Sequence, residues 1–115
     1  MTTFTEGFHT GEFILSEGDE AYSYDQVTVT QTGTAMPSGT VLAKLTATGK
    51  YVAYDDVGTD GSETAAAILY TDLAAATGDI QAAAITRHAE VDSAALTGYN
   101  ANAKADLAAV GIIVR

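Results

Sequence analysis

The sequence predicts a mostly β domain closed by one short C-terminal helix, an α+β chain in which strands carry most of the core. Three observations predict it. "QVTVTQ" (26–31) alternates apolar and polar residues with the period of a half-buried strand. The other apolar runs are short and end in Gly, Asp, Ser or Thr, the residues that turn a chain. Only "NANAKADLAAVGIIVR" (100–115) joins an N-cap residue to a run of helix formers and a closing glycine.

The elements follow in order. Residues 1–30 hold all three phenylalanines, Phe4, Phe8 and Phe13, and are interrupted by Gly7, Gly11 and Gly18, which disfavour a helix. Two readings stay open for this segment. One is an N-terminal strand tucked into the domain's own core; the other is an extended arm whose side chains dock on another molecule. Residues 1–11 suit the arm, having anchors without periodicity, while 12–30 suit either. We divide the chain into an arm at 1–15 and a single β-rich domain at 16–115, with Phe4, Phe8, Phe13, Ile14 and Leu15 as candidate docking residues.

Beyond the arm, Pro37 and Gly39 mark a turn, and "TVLAKLTA" (40–47) reads as a strand with Val41, Ala43, Leu45 and Ala47 on one face. "TGK" (48–50) connects it to a second strand, "YVAYD" (51–55). "AAAILYTDL" (65–73) is Ala-rich, but Ile68, Leu69 and Tyr70 in so short a run favour a buried strand. "GDIQAAAITRHAEVD" (78–92) begins at a turn and then reads as one strand. Asn100 or Asn102 caps a helix over 103–110, Gly111 takes the position after its end, and "IIV" (112–114) forms a closing strand. The small-residue strands and this last unit are the candidate contact between copies, with Leu107, Val110, Ile112 and Ile113 as its residues.

Composition narrows the function. A chain of 115 residues has room for one core. Its net charge of −10 and five scattered cations disfavour nucleic acid and anionic membrane. There is no cysteine, hence no thiolate metal site. The N-terminus lacks a basic segment followed by an apolar one, and no apolar run is long enough to span a bilayer, so a soluble chain without an export signal is expected. The abundance of Ala, Thr and Gly limits what burial contributes per residue, a shortfall that oligomers often make good.

The one cluster suggestive of chemistry is "DDVGTDGSE" (55–63), with Asp55, Asp56, Asp60 and Glu63 around two glycines. As a calcium loop starting at Asp56 it fails at position 3, which is Gly58, and at position 12, which is Ala67. As an acid–base pair it lacks surroundings that would separate two carboxyl pKa values. "TDGS" is the signature of a turn. His9 and His88 lie far apart, and the serines have no neighbouring base or oxyanion motif. We therefore expect no enzyme, cofactor or metal site, with an irregular cation site at Asp55–Glu63 left open as an alternative. A hydrolase using Asp55, Asp56 or Asp60 is the remote alternative. A carbohydrate- or surface-binding β module of a virion is the nearer one, with Tyr22, Tyr24, Tyr51, Tyr54, Tyr70 and Tyr99 as stacking surfaces, although most of these are expected to be core or interface residues.

Taken together, "GKYVAYDDVGTDGSETAAAIL", "AAAITRHAEVD" and "LAAVGIIVR" resemble the head decoration proteins of lambda-like tailed phages and prophages over roughly residues 40–115. The opening "FTEGFHTGEFILSE" looks like that of many prophage members but departs from the lambda-type arm, so no arm contact carries over residue by residue. The resemblance implies a compact β-clip-like domain with an extended N-terminal arm. It implies a homotrimer on the outer surface of the expanded head, at three-fold positions, bracing the shell against DNA pressure. The arm would pair with a segment of the major capsid protein. Such a protein is made late, in the host cytoplasm, and ends in the virion.

Overall fold

Eight strands and one helix emerge in the computed structural model, which describes residues 14–17 and 24–115. The strands are β1 (Ile14–Glu17), β2 (Tyr24–Thr32), β3 (Val41–Lys44), β4 (Tyr51–Ala53), β5 (Ala65–Leu69), β6 (Thr77–Ile85), β7 (Ala89–Val91) and β8 (Ile112–Val114). The helix, α1, is Ala101–Ala109, and Ser93–Ala95 form a 3-10 turn. The mostly β class with a short C-terminal helix is as the sequence predicts.

Five strands close a barrel in the order β2-β4-β3-β5-β6, and β1-β7-β8 form a separate sheet. The barrel's main brace is the β2–β6 ladder, antiparallel from Tyr24–Ile85 to Thr32–Thr77. Its weakest seam is the β2–β4 contact, a parallel pairing at Val29–Tyr51 alone.

There are two cores, and β3 and β5 serve both. Leu42, Ala67 and Leu69 face the barrel interior with Val29, Ala82 and Ala84. Val41, Ala65 and Ile68 face outward and are covered by Leu107 of α1, Val91 of β7 and Ile112 of β8. Strands buried on both faces read as continuous apolar runs, which is why "AAAIL" shows no alternation. Barrel size follows strand number, and five strands leave little room inside. Alanines at 67, 82 and 84 fit that space, so the Ala-rich composition is a packing requirement. The buried polar residues Gln31 and Thr40 are satisfied: Gln31 Nε2 donates to Ala74 O at 2.8 Å, and Thr40 Oγ1 to Pro37 O at 2.7 Å.

Two strand expectations are corrected. The strand expected at 40–47 stops at Lys44, because Leu45 N–H donates to Lys50 O and Gly49 N–H to Leu45 O, turning the chain at once. The single strand expected across 78–92 is two, β6 in the barrel and β7 in the small sheet. The break falls at Thr86–His88, where His88 takes a φ of 50°, a left-handed conformation uncommon outside glycine. Arg87 Nη1 donates to Asp25 Oδ2 on β2 at 2.7 Å, fixing the corner.

The helix matches its signals. Asn100 is the N-cap, its Oδ1 accepting from Ala103 N–H at 2.9 Å. Gly111, with φ of 85°, ends it by donating N–H to Ala108 O. Of the N-terminal segment, Ile14–Glu17 form β1 in the domain's own sheet, paired with β7. This strand spans both sides of the expected arm–domain boundary between residues 15 and 16.

Candidate functional site

The acidic loop 55–63 is built from its own hydrogen bonds. Asp55 N–H donates to Ser62 O at 2.8 Å and Thr46 N–H to Asp60 O at 3.0 Å, closing the loop and tying it to the end of β3. Asp60 Oδ1 accepts from Ser62 Oγ at 2.6 Å and from Ser62 N–H at 3.2 Å. Those bonds, the hydroxyl first, hold the Asp60 carboxyl below its ordinary value. Asp55 Oδ1 accepts from Val57 N–H, and Glu63 Oε2 from Gly61 N–H. Gly61 has a φ of 107°, and a Cβ there would lie 2.5 Å from Lys44 O and 2.7 Å from Thr46 N. The glycine is what lets the loop lie on β3.

The helix holds the other side. Asn100 Nδ2 donates to Asp56 Oδ2 at 2.8 Å, and Ala65 N–H to Asp106 Oδ2 at 3.1 Å. Tyr54 Oη donates to Asn100 Oδ1 at 3.3 Å. Its phenol pKa is raised, first by burial and then by the Asp56 carboxylate. The carboxylates of this region thus cap backbone donors or hold the helix. Among the described residues, no three His, Cys, Asp or Glu side chains gather as metal ligands would. The turn reading of this loop stands.

Two ion pairs join segments distant along the chain, Arg87 to Asp25 on β2 and Lys50, just ahead of β4, to Asp79 on β6. Asp25 carries a lowered pKa, caused first by its bond from Arg87 and then by one from Thr86. Asp79 is likewise lowered, by Lys50 and then by Thr30, whose Oγ1 donates to Asp79 Oδ1 at 2.7 Å. Sequence reading found neither pair, since each partner is distant along the chain and carries no local signal.

The tyrosines are packing residues. Tyr24, Tyr54, Tyr70 and Tyr99 lie against the helix-side core, and Tyr51 against the barrel core. Tyr24 and Tyr70 meet edge to face, ring centres 4.9 Å apart. Tyr22 lies outside the described residues.

The candidate contact residues separate into groups. Leu107 and Ile112 are fully buried inside the subunit and serve its own core, whereas Val110 and Ile113 are 37% and 45% exposed. Val57, at the tip of the acidic loop, is 81% exposed. Of the arm residues, Phe4, Phe8 and Phe13 lie outside the described residues. Ile14 packs partly buried against the helix-side core, and the backbone of Leu15 lies in β1. No helix among the described residues is long and apolar enough to cross a membrane.

A small barrel whose carboxylates secure its own turns, with a second sheet and a capped helix on one flank, defines a structural or binding module. A family model described as Bacteriophage lambda head decoration protein D matches residues 3–112, nearly the whole chain, and the chain belongs to that family. The family is structural, and its place is the capsid of the phage virion. Comparison with curated proteins gives no match.

Proposed function

We propose that this protein binds the outer surface of the expanded phage head as a homotrimer at three-fold positions and braces the shell against the pressure of packaged DNA. The family match over residues 3–112 carries this reading. The charge of −10 supports it, because an acidic protein does not compete for packaged DNA and suits the outside of the shell.

The N-terminal segment is the proposed main contact with the major capsid protein. Phe4, Phe8 and Phe13 supply apolar anchors, and an extended backbone can add a strand to a sheet edge. A net hydrogen bond contributes about 0.5–1.5 kcal/mol, and a buried Phe about 1.5–3 kcal/mol. One arm is therefore weak once its ordering is counted, and three arms on one trimer gain through effective concentration. The exposed pair Val110 and Ile113 is the proposed meeting point of the subunits.

The test is a deletion of residues 2–13, which stops short of β1. The truncated protein should remain a folded trimer and lose its hold on expanded capsids. Unchanged capsid binding by the truncated trimer would overturn the arm's role.

A further inference from the structure

The barrel is not zipped along its whole β2–β4 seam. After Val29–Tyr51 the two strands part, and a cleft of about 310 Å³ opens between them, lined in part by Thr30, Thr32, Thr34, Val52, Ala53 and Thr97. Bonded pairs alternate along an antiparallel ladder. Gly33 N–H donates to Ala76 O, so Thr32, one residue earlier on β2, turns its N–H and C=O away from β6. Tyr54 N–H donates to Val41 O, so Ala53 turns its N–H and C=O away from β3. Both sets of groups point into the cleft. Its two walls are thus strand edges whose backbone groups face each other beyond the single β2–β4 pair seen among the described residues, a ready template for another strand.

We propose, resting on the capsid-decoration reading above, that this cleft takes one extended, uncharged strand of the capsid protein by strand addition. Two observations support that occupant. Outward-facing N–H and C=O groups on two parted strand edges are of the kind an extended backbone satisfies. Among the described residues no ionisable side chain lines the cleft, although the chain carries a net charge of −10, so the site is a neutral window in an acidic protein and fits an uncharged segment. This contact is additional to the N-terminal one and lies on the barrel.

The experiment compares the full-length wild type with Ala53→Arg and Thr34→Arg, both at exposed positions of the cleft. Binding to expanded capsids is measured, together with amide hydrogen exchange over residues 30–34 and 51–54, free and capsid-bound. The expected result is at least tenfold weaker capsid binding by either variant. The wild-type amides of Thr32 and Ala53 should exchange fast in the free protein and at least tenfold more slowly on capsids. Equal binding by wild type and variants, with these amides still fast on the capsid, overturns the inference and leaves the decoration reading intact. No capsid binding by the wild type removes both. Slow exchange already in the free protein also overturns the inference. If deleting residues 2–13 relieves that protection, the occupant is the chain's own N-terminal segment; if dilution to monomers relieves it, the occupant is a second copy.

Discussion

Asn100 joins the acidic loop to the helix: its Oδ1 caps α1 at Ala103 N–H, 2.9 Å, while its Nδ2 donates to Asp56 Oδ2, 2.8 Å. One side chain therefore both starts the helix and anchors the loop.

Asn100→Ala should cost about 0.5–2 kcal/mol, the range for losing an N-cap. For a domain of this size that is a fall in Tm of roughly 2–8 °C. Asn100→Asp keeps the cap oxygen but sets a carboxylate against Asp56, so it should fall between alanine and wild type at neutral pH. Thermal melts followed by circular dichroism rank the three. An Asp variant as stable as wild type would show that the Asp56 bond contributes nothing.

Three glycines with positive φ differ in their surroundings. Gly61 is crowded by Lys44 O and Thr46 N, Gly111 has His88 N at 3.3 Å from a built Cβ, and Gly78 has nothing within 4 Å. Alanine at Gly78 should cost about 1 kcal/mol from backbone strain alone. Alanine at Gly61 should cost more, because β3 and the loop must also separate. Urea midpoints should fall in the order Gly61, Gly111, Gly78, with Gly61→Ala least stable.

Acid should destabilise the fold through Asp25, Asp60 and Asp79, whose pKa values lie below the ordinary one. A depressed folded-state pKa means that the unfolded chain binds more protons as pH falls. The stabilisation is complete above about pH 4, the ordinary Asp range, and is lost as pH drops through the lower folded values. Asp25→Asn should flatten the pH dependence of Tm below pH 4 relative to wild type. These groups are exposed, so added salt should shrink the effect.

Leu107 and Ile113 should fail in different ways. Leu107→Ala opens the helix-side core and should cost about 2–5 kcal/mol. Ile113→Asp, on an exposed position of β8, should leave the subunit folded and lower its assembled mass. Light scattering reads the mass, and urea unfolding at monomer concentrations reads the fold. An Ile113→Asp protein still trimeric would move the subunit contact away from β8.

What could be read before folding follows from how local each signal is. The helix was legible because Asn100 and Gly111 mark its ends within one short stretch. The turn at Asp55–Glu63 was legible because its acids cap donors a residue or two away. The corner at Thr86–His88 was not, since no Gly or Pro marks it and alternation runs straight through. Leu107 could not be separated from Val110, because an Ala-rich helix has only a faint apolar stripe, nor Ile112 from Ile113, because every residue of the short strand β8 is β-branched and apolar. The seam between β2 and β4 joins residues over twenty positions apart, and no local pattern encodes where a ladder stops.

The central claim is that this chain grips a mature capsid. Purified protein should be sedimented with expanded and unexpanded heads of its own phage. The account predicts saturable binding to expanded heads alone, with copies in threes at each three-fold position. Folded, trimeric protein that sediments with neither form would contradict it.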